Sequence, residues 1–68
     1  MRPLILWARD HRATLRLAGR SPSEVTGQMM IDGHAVPFHF DLHSFELTLD
    51  EGEQRRCMRL DEYGWEIR

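Results

Sequence analysis

The chain has 68 residues, 9 of them basic and 11 acidic, for a formal net charge of −2. A chain of this length makes one domain at most and buries only about 60% of the surface it exposes when unfolded. That argues against a deep catalytic cleft and makes self-association a natural supplement to stability. No block of like charge marks a nucleic-acid arm or a polybasic membrane anchor, and no run approaches the ~20 apolar residues of a membrane helix.

Every basic residue is Arg, and Lys and Asn are absent. Both missing types have AT-rich codons, which points to a GC-rich gene of bacterial or phage origin. Cys57 is the single cysteine, so an internal disulfide is excluded and nothing demands an oxidising compartment. The opening MRPLILWARDHR has an apolar run too short for a signal segment. Cytoplasm is the expected location.

In chain order, residues 3–18 are expected to form a hairpin turning at Asp10-His11. It would pair Leu6 with Leu15, Leu4 with Leu17 and Ala8 with Ala13. The alternative is a short helix within residues 10–20, capped by Asp10; the alternation Leu15-x-Leu17 favours a strand. GRSPSE, Gly19 to Glu24, is the clearest loop, with one short helical turn anticipated near residues 21–26.

The stretch MMIDGHAVPFHFDL centres on Asp32-Gly33, a favoured type I′ turn because both central residues must take φ > 0. It sets Ile31 against His34, Met29 against Val36, Gly27 against Phe38 and Val25 against Phe40. The Phe38 ring covers the bare Gly27 backbone. A second turn at Gly52-Glu53, glycine first as type II′ requires, pairs Leu47 with Met58, Phe45 with Leu60, Glu46 with Arg59 and Asp50 with Arg55. Apolar face and charges are satisfied in one register. DEYG, Asp61 to Gly64, is expected to return Trp65 opposite Leu60 and Ile67 opposite Met58, with Arg59 between Glu46 and Glu66.

The sum is an all-β domain spanning residues 1–68: a small antiparallel meander or SH3-like barrel of six or seven short strands. Its inner face would hold Leu4, Leu6, Leu15, Leu17, Val25, Met29, Val36, Phe38, Phe40, Leu42, Phe45, Leu47, Leu49, Met58, Leu60, Trp65 and Ile67. Curling over one core limits the exposed edges.

The chemistry-bearing residues point away from catalysis. His34 and His39 fall on opposite faces, and His39 and His43 stand roughly 13 Å apart along a straight strand, far beyond what one zinc ion spans. His39, Thr48 and Cys57 form one row across three strands, but the imidazole and thiol are then about 9–10 Å apart, too far for a nucleophile and its base. Arg68 is expected beside Cys57, which is read as a buried or half-buried structural thiol. Most carboxylates face arginines or sit in turns, and there is no glycine-rich phosphate loop. No enzyme activity, cofactor, metal or small-molecule substrate is expected.

One anomaly stands out. Ile5, Trp7, Met30, Ala35 and Pro37 fall on the nominally outward face, and exposed apolar patches on small domains mark partner surfaces, with Trp a common anchor. The expected function is a non-catalytic protein-interaction module, an adaptor, inhibitor or small subunit. It would bind a protein partner or a second copy of itself through Ile5, Trp7, Met30 and Pro37. The alternative is a small nucleic-acid-binding barrel using Arg9, Arg12, Arg16 and Trp7.

Overall fold

The computed structural model describes residues 1–67. One helix, α1 (Arg2–Asp10), precedes six strands: β1 (Thr14–Arg20), β2 (Glu24–Ile31), β3 (His34–Asp41), β4 (Glu46–Glu51), β5 (Gln54–Leu60) and β6 (Glu66–Ile67). The strands form one antiparallel meander in the order β1-β2-β3-β4-β5-β6, with β1 and β6 at its two edges.

The two central hairpins have the register read from the sequence. Asp32 and Gly33 both take positive φ, 49° and 79°, and Ile31↔His34, Met29↔Val36, Gly27↔Phe38 and Val25↔Phe40 face one another. The β4–β5 hairpin pairs Glu46↔Arg59, Leu47↔Met58, Thr48↔Cys57 and Asp50↔Arg55, and the Leu60 N–H donates to the Phe45 carbonyl at 2.9 Å. A half-buried sheet fixes its register because a slip of one residue turns every side chain over. Gly27 answers a further demand. At the β1–β2 bulge between Leu17 and Gly19, the Arg16 carbonyl occupies the space a Cβ at residue 27 would need.

Residues 3–18 are not a hairpin. The second arm is a strand, as the Leu15-x-Leu17 alternation predicts, and lies in β1, but the first arm is helix α1, which ends at Asp10 rather than beginning there. Pro3 lies in its first turn, where a missing N–H is no loss and a fixed φ is already helical. Leu4, Trp7 and Ala8 then fall on one stripe, at i, i+3 and i+4, and all three are buried. The helical turn anticipated near residues 21–26 is also absent. Residues 21–23 are a loop and β2 begins at Glu24.

The stripe of α1 completes a core with Val25, Met29, Val36, Phe38, Phe40, Leu47, Leu49 and Leu60. Each aliphatic side chain buried this fully contributes about 1.5–3 kcal/mol relative to an exposed one. The helix also reaches the far edge of the meander. A Cβ on Gly64 would stand 2.7 Å from the Pro3 carbonyl oxygen and 2.8 Å from the Trp7 nitrogen, so α1 rests directly on the β5–β6 turn.

That turn departs from the expected register. The Asp61 N–H donates to the Trp65 carbonyl at 2.9 Å, enclosing Glu62, Tyr63 and Gly64, and Gly64 takes φ 81°. A three-residue loop with its last residue left-handed is a common hairpin form. It gives Leu60↔Glu66 and Arg59↔Ile67, one residue away from the expected pairing. Trp65 and Ile67 therefore leave the core and are 62% and 53% exposed. Leu17, on edge strand β1, is also half exposed rather than core.

Candidate functional site

The residues expected to bind a partner do not form one patch. Trp7 is 1% exposed, stacked on the His11 ring at 3.9 Å between centroids, and its indole N–H reaches Glu66 Oε1 at 3.4 Å. Its outward placement followed from the strand reading of residues 3–18 and falls with it. Ile5 is exposed on α1, a helix whose other side packs on the inner face of the sheet. Met30, half-buried, and Pro37, exposed, lie on the outer face as expected, opposite Ala35 and Gln28.

The basic residues divide likewise. Arg9 lies in the last turn of α1, Arg12 follows the helix in a left-handed turn with φ 54°, and Arg16 sits on β1 opposite Gln28. With Trp7 buried, the aromatic expected to stack bases beside them is not on the surface.

Sequence reasoning missed the largest exposed apolar group. The β5–β6 hairpin presents Tyr63, Trp65 and Ile67, 61%, 62% and 53% exposed. Asp61 holds them in place: its Oδ1 accepts the Tyr63 N–H at 2.8 Å and the Trp65 N–H at 3.0 Å. Strand alternation does the rest. Glu66 turns inward to the Trp7 indole, so its neighbours Trp65 and Ile67 turn outward. The Glu-Tyr-Gly loop with its terminal glycine was the signal that could have found this.

The row His39, Thr48, Cys57 exists as expected, but its imidazole is engaged outside the row. His39 Nε2–H donates to Glu24 Oε2 at 2.6 Å. Cys57 is exposed rather than buried, with Thr48 Oγ1 at 3.7 Å from its sulfur. Arg68, its expected neighbour, lies outside the described residues. Among the described residues, no group of three or more His, Cys, Asp or Glu side chains converges, and no helix is long and apolar enough to cross a membrane. The expected Glu46–Arg59 and Asp50–Arg55 partners face one another in the register, yet the Arg–carboxylate ion pair among the described residues is Arg56–Glu51 at 3.4 Å. Arg59 instead donates from Nε to the Ser44 carbonyl at 3.3 Å, and its β6 neighbour is Ile67, not Glu66.

No protein-family model, curated protein or solved structure matches the chain.

Asp41 organises the β3–β4 turn. Its Oδ1 accepts the His43 N–H at 2.8 Å and the Ser44 N–H at 2.9 Å. The Ser44 amide first, then that of His43, holds this carboxyl below the ordinary value of 3.8, because both favour the ionised form. The turn closes with Phe45 at φ 62°, its ring stacked on Phe40 at 6.1 Å.

The sheet opens between β3 and β4. β3 pairs with β2 along its whole length but with β4 only at Phe38↔Leu49, His39↔Thr48 and Phe40↔Leu47. The ladder stops at Pro37, which has no N–H to give. Beyond it β3 and the β4–β5 turn part around a cleft of about 660 Å³, lined by Ile31, Ala35, Val36, Pro37, Asp50 and Glu51 among others.

Proposed function

We propose that the chain is a non-catalytic protein-interaction domain whose contact surface is the outer side of the β5–β6 hairpin. The observation that carries this reading is the exposure of Tyr63, Trp65 and Ile67 together on one hairpin. Aromatic anchors held rigidly on a turn suit protein contacts, and Asp61 fixes this turn through two hydrogen bonds. The partner is a second copy of the chain or another protein. A cytoplasmic setting suits the free thiol of Cys57.

The nucleic-acid alternative is weaker on charge. Asp61, Glu62 and Glu66 share the hairpin with the aromatics, and the chain is net negative, whereas single-stranded nucleic acid calls for a basic groove beside its stacking rings.

Sedimentation velocity across a concentration series, on wild type and Trp65→Ala, tests the self-association form. A dimer that Trp65→Ala dissolves supports it, and a monomer in both removes it. Immobilised wild type and Trp65→Ala, exposed side by side to host lysate, test the other form: a protein retained only by wild type supports it. Identical retention on both overturns the hairpin as the contact surface.

A further inference from the structure

We infer that the cleft between the first half of β3 and the β4–β5 turn is a docking slot for an extended peptide segment carrying Lys or Arg. The backbone supplies the first reason. In an antiparallel ladder, alternate residues direct their N–H and C=O to opposite sides. The two-residue turn at Asp32-Gly33 sets Ile31↔His34 as a hydrogen-bonded pair, so His34, Val36 and Phe38 bond toward β2. Ala35, Pro37 and His39 point toward β4. His39 has Thr48 as its partner, Pro37 has no N–H, and Ala35 has no β4 partner in the register. The Ala35 N–H and C=O thus face the cleft, the unmade half of a ladder that an added strand completes. The free stretch, residues 34–37, measures roughly 13 Å at ~3.3 Å per residue, the length of a four-residue segment.

Charge selects the occupant. Asp32, Asp50 and Glu51 line the same cleft, and Glu53 follows in the turn. Glu51 is engaged by Arg56, and Arg55 faces Asp50 in the register. Among the described residues, however, neither Asp32 nor Asp50 has an ion-pair partner. Ile31, Ala35, Val36 and Pro37 provide apolar wall. A segment alternating β-branched and basic residues meets all three features: backbone, wall and carboxylates. A β5 strand from a second copy meets them poorly, since it is held in its own hairpin and is not free to enter a slot.

The test is a titration of the folded protein with a fluorescent alternating valine–lysine hexapeptide. It is run below any concentration at which the protein self-associates, so that this result and the hairpin result are read separately. The expected outcome is saturable binding with a Kd below about 1 mM, weakened by added salt. The valine–glutamate counterpart does not bind. Asp50→Asn with Asp32→Asn weakens binding at least fivefold, and the Ala35 amide resonance moves on titration. Pro37→Val, which restores an N–H and lets the β3–β4 ladder extend into the cleft, weakens binding while the circular dichroism spectrum stays that of wild type. Equal binding of the acidic peptide, no binding at millimolar peptide, or full affinity in the Asp50→Asn, Asp32→Asn variant overturns the inference.

Discussion

Helix α1 and the β5–β6 hairpin each carry one of the chain's two tryptophans and treat it in opposite ways. Trp7 is 1% exposed and Trp65 is 62% exposed, although the two regions touch at Gly64. Residue type decides neither fate. In α1, a period of 3.6 gathers Leu4, Trp7 and Ala8 onto one buried stripe. In the hairpin, a three-residue loop shifts the pairing by one, and the period of two sends Trp65 outward while Glu66 turns toward the Trp7 indole.

The strongest way to break this contrast is Trp7→Ala. Emptying so buried a site costs about 3–5 kcal/mol, a large share of the roughly 3–10 kcal/mol that a chain of this size holds in total. The variant is expected to be largely unfolded by circular dichroism at room temperature; a melting curve like that of wild type would show that α1 does not complete the core. Gly64→Ala comes next. A side chain there is strained by its positive φ and meets the backbone of Pro3 and Trp7, a combination that costs roughly 2–4 kcal/mol. Urea unfolding reads the cost, and a red shift of Trp7 emission reads the displaced helix. An unchanged midpoint would sever the link between the two regions.

A smaller effect sharpens the contrast from the well-specified side of the molecule. The Asp41 carboxyl sits below its ordinary value of 3.8, so its folded value is lower than its unfolded one. Its stabilising contribution is present above the unfolded value and disappears as pH falls through the folded value. Asp41→Asn is expected to lower the urea midpoint at neutral pH, with the gap to wild type closing on acidification. A gap independent of pH would assign the turn to backbone geometry alone. Smallest of all is Trp65→Ala, expected to change stability by no more than about 0.5 kcal/mol. It should remove most of the emission that acrylamide quenches in the wild type, and a quenchable Trp7 would reverse the assignment of inside and outside.

The legible parts of the fold share one property: a local turn and a buried face that agree. Asp32-Gly33 and Gly52-Glu53 each fixed a register that the apolar residues on both arms also required. Residues 3–18 lacked that agreement. Leu4, Leu6 and Ala8 alternate like a strand, while Leu4, Trp7 and Ala8 recur like a helix, and Pro3 as a helix start was the discriminating residue. At the last turn, one residue of loop length reversed the faces of Trp65 and Ile67, so that exposed group went unread, while the strand reading of residues 3–18 set Trp7 outside. The cleft was less legible, since it depends on where two strands part; Pro37 inside an otherwise regular strand was its one local sign.

The contact between Trp7 and Glu66 spans 59 positions of chain, whereas the meander joins each strand to the next. On a ribosome adding ~5–20 residues per second, the helix emerges roughly 3 to 12 s before the turn that shelters it. Throughout that interval the sheet can assemble hairpin by hairpin while the indole lacks the cover of Gly64 and Glu66. The earliest of these elements is thus the one whose contacts are completed latest, and nascent chains halted before Tyr63 should leave more of its apolar stripe open to whatever holds newly made protein.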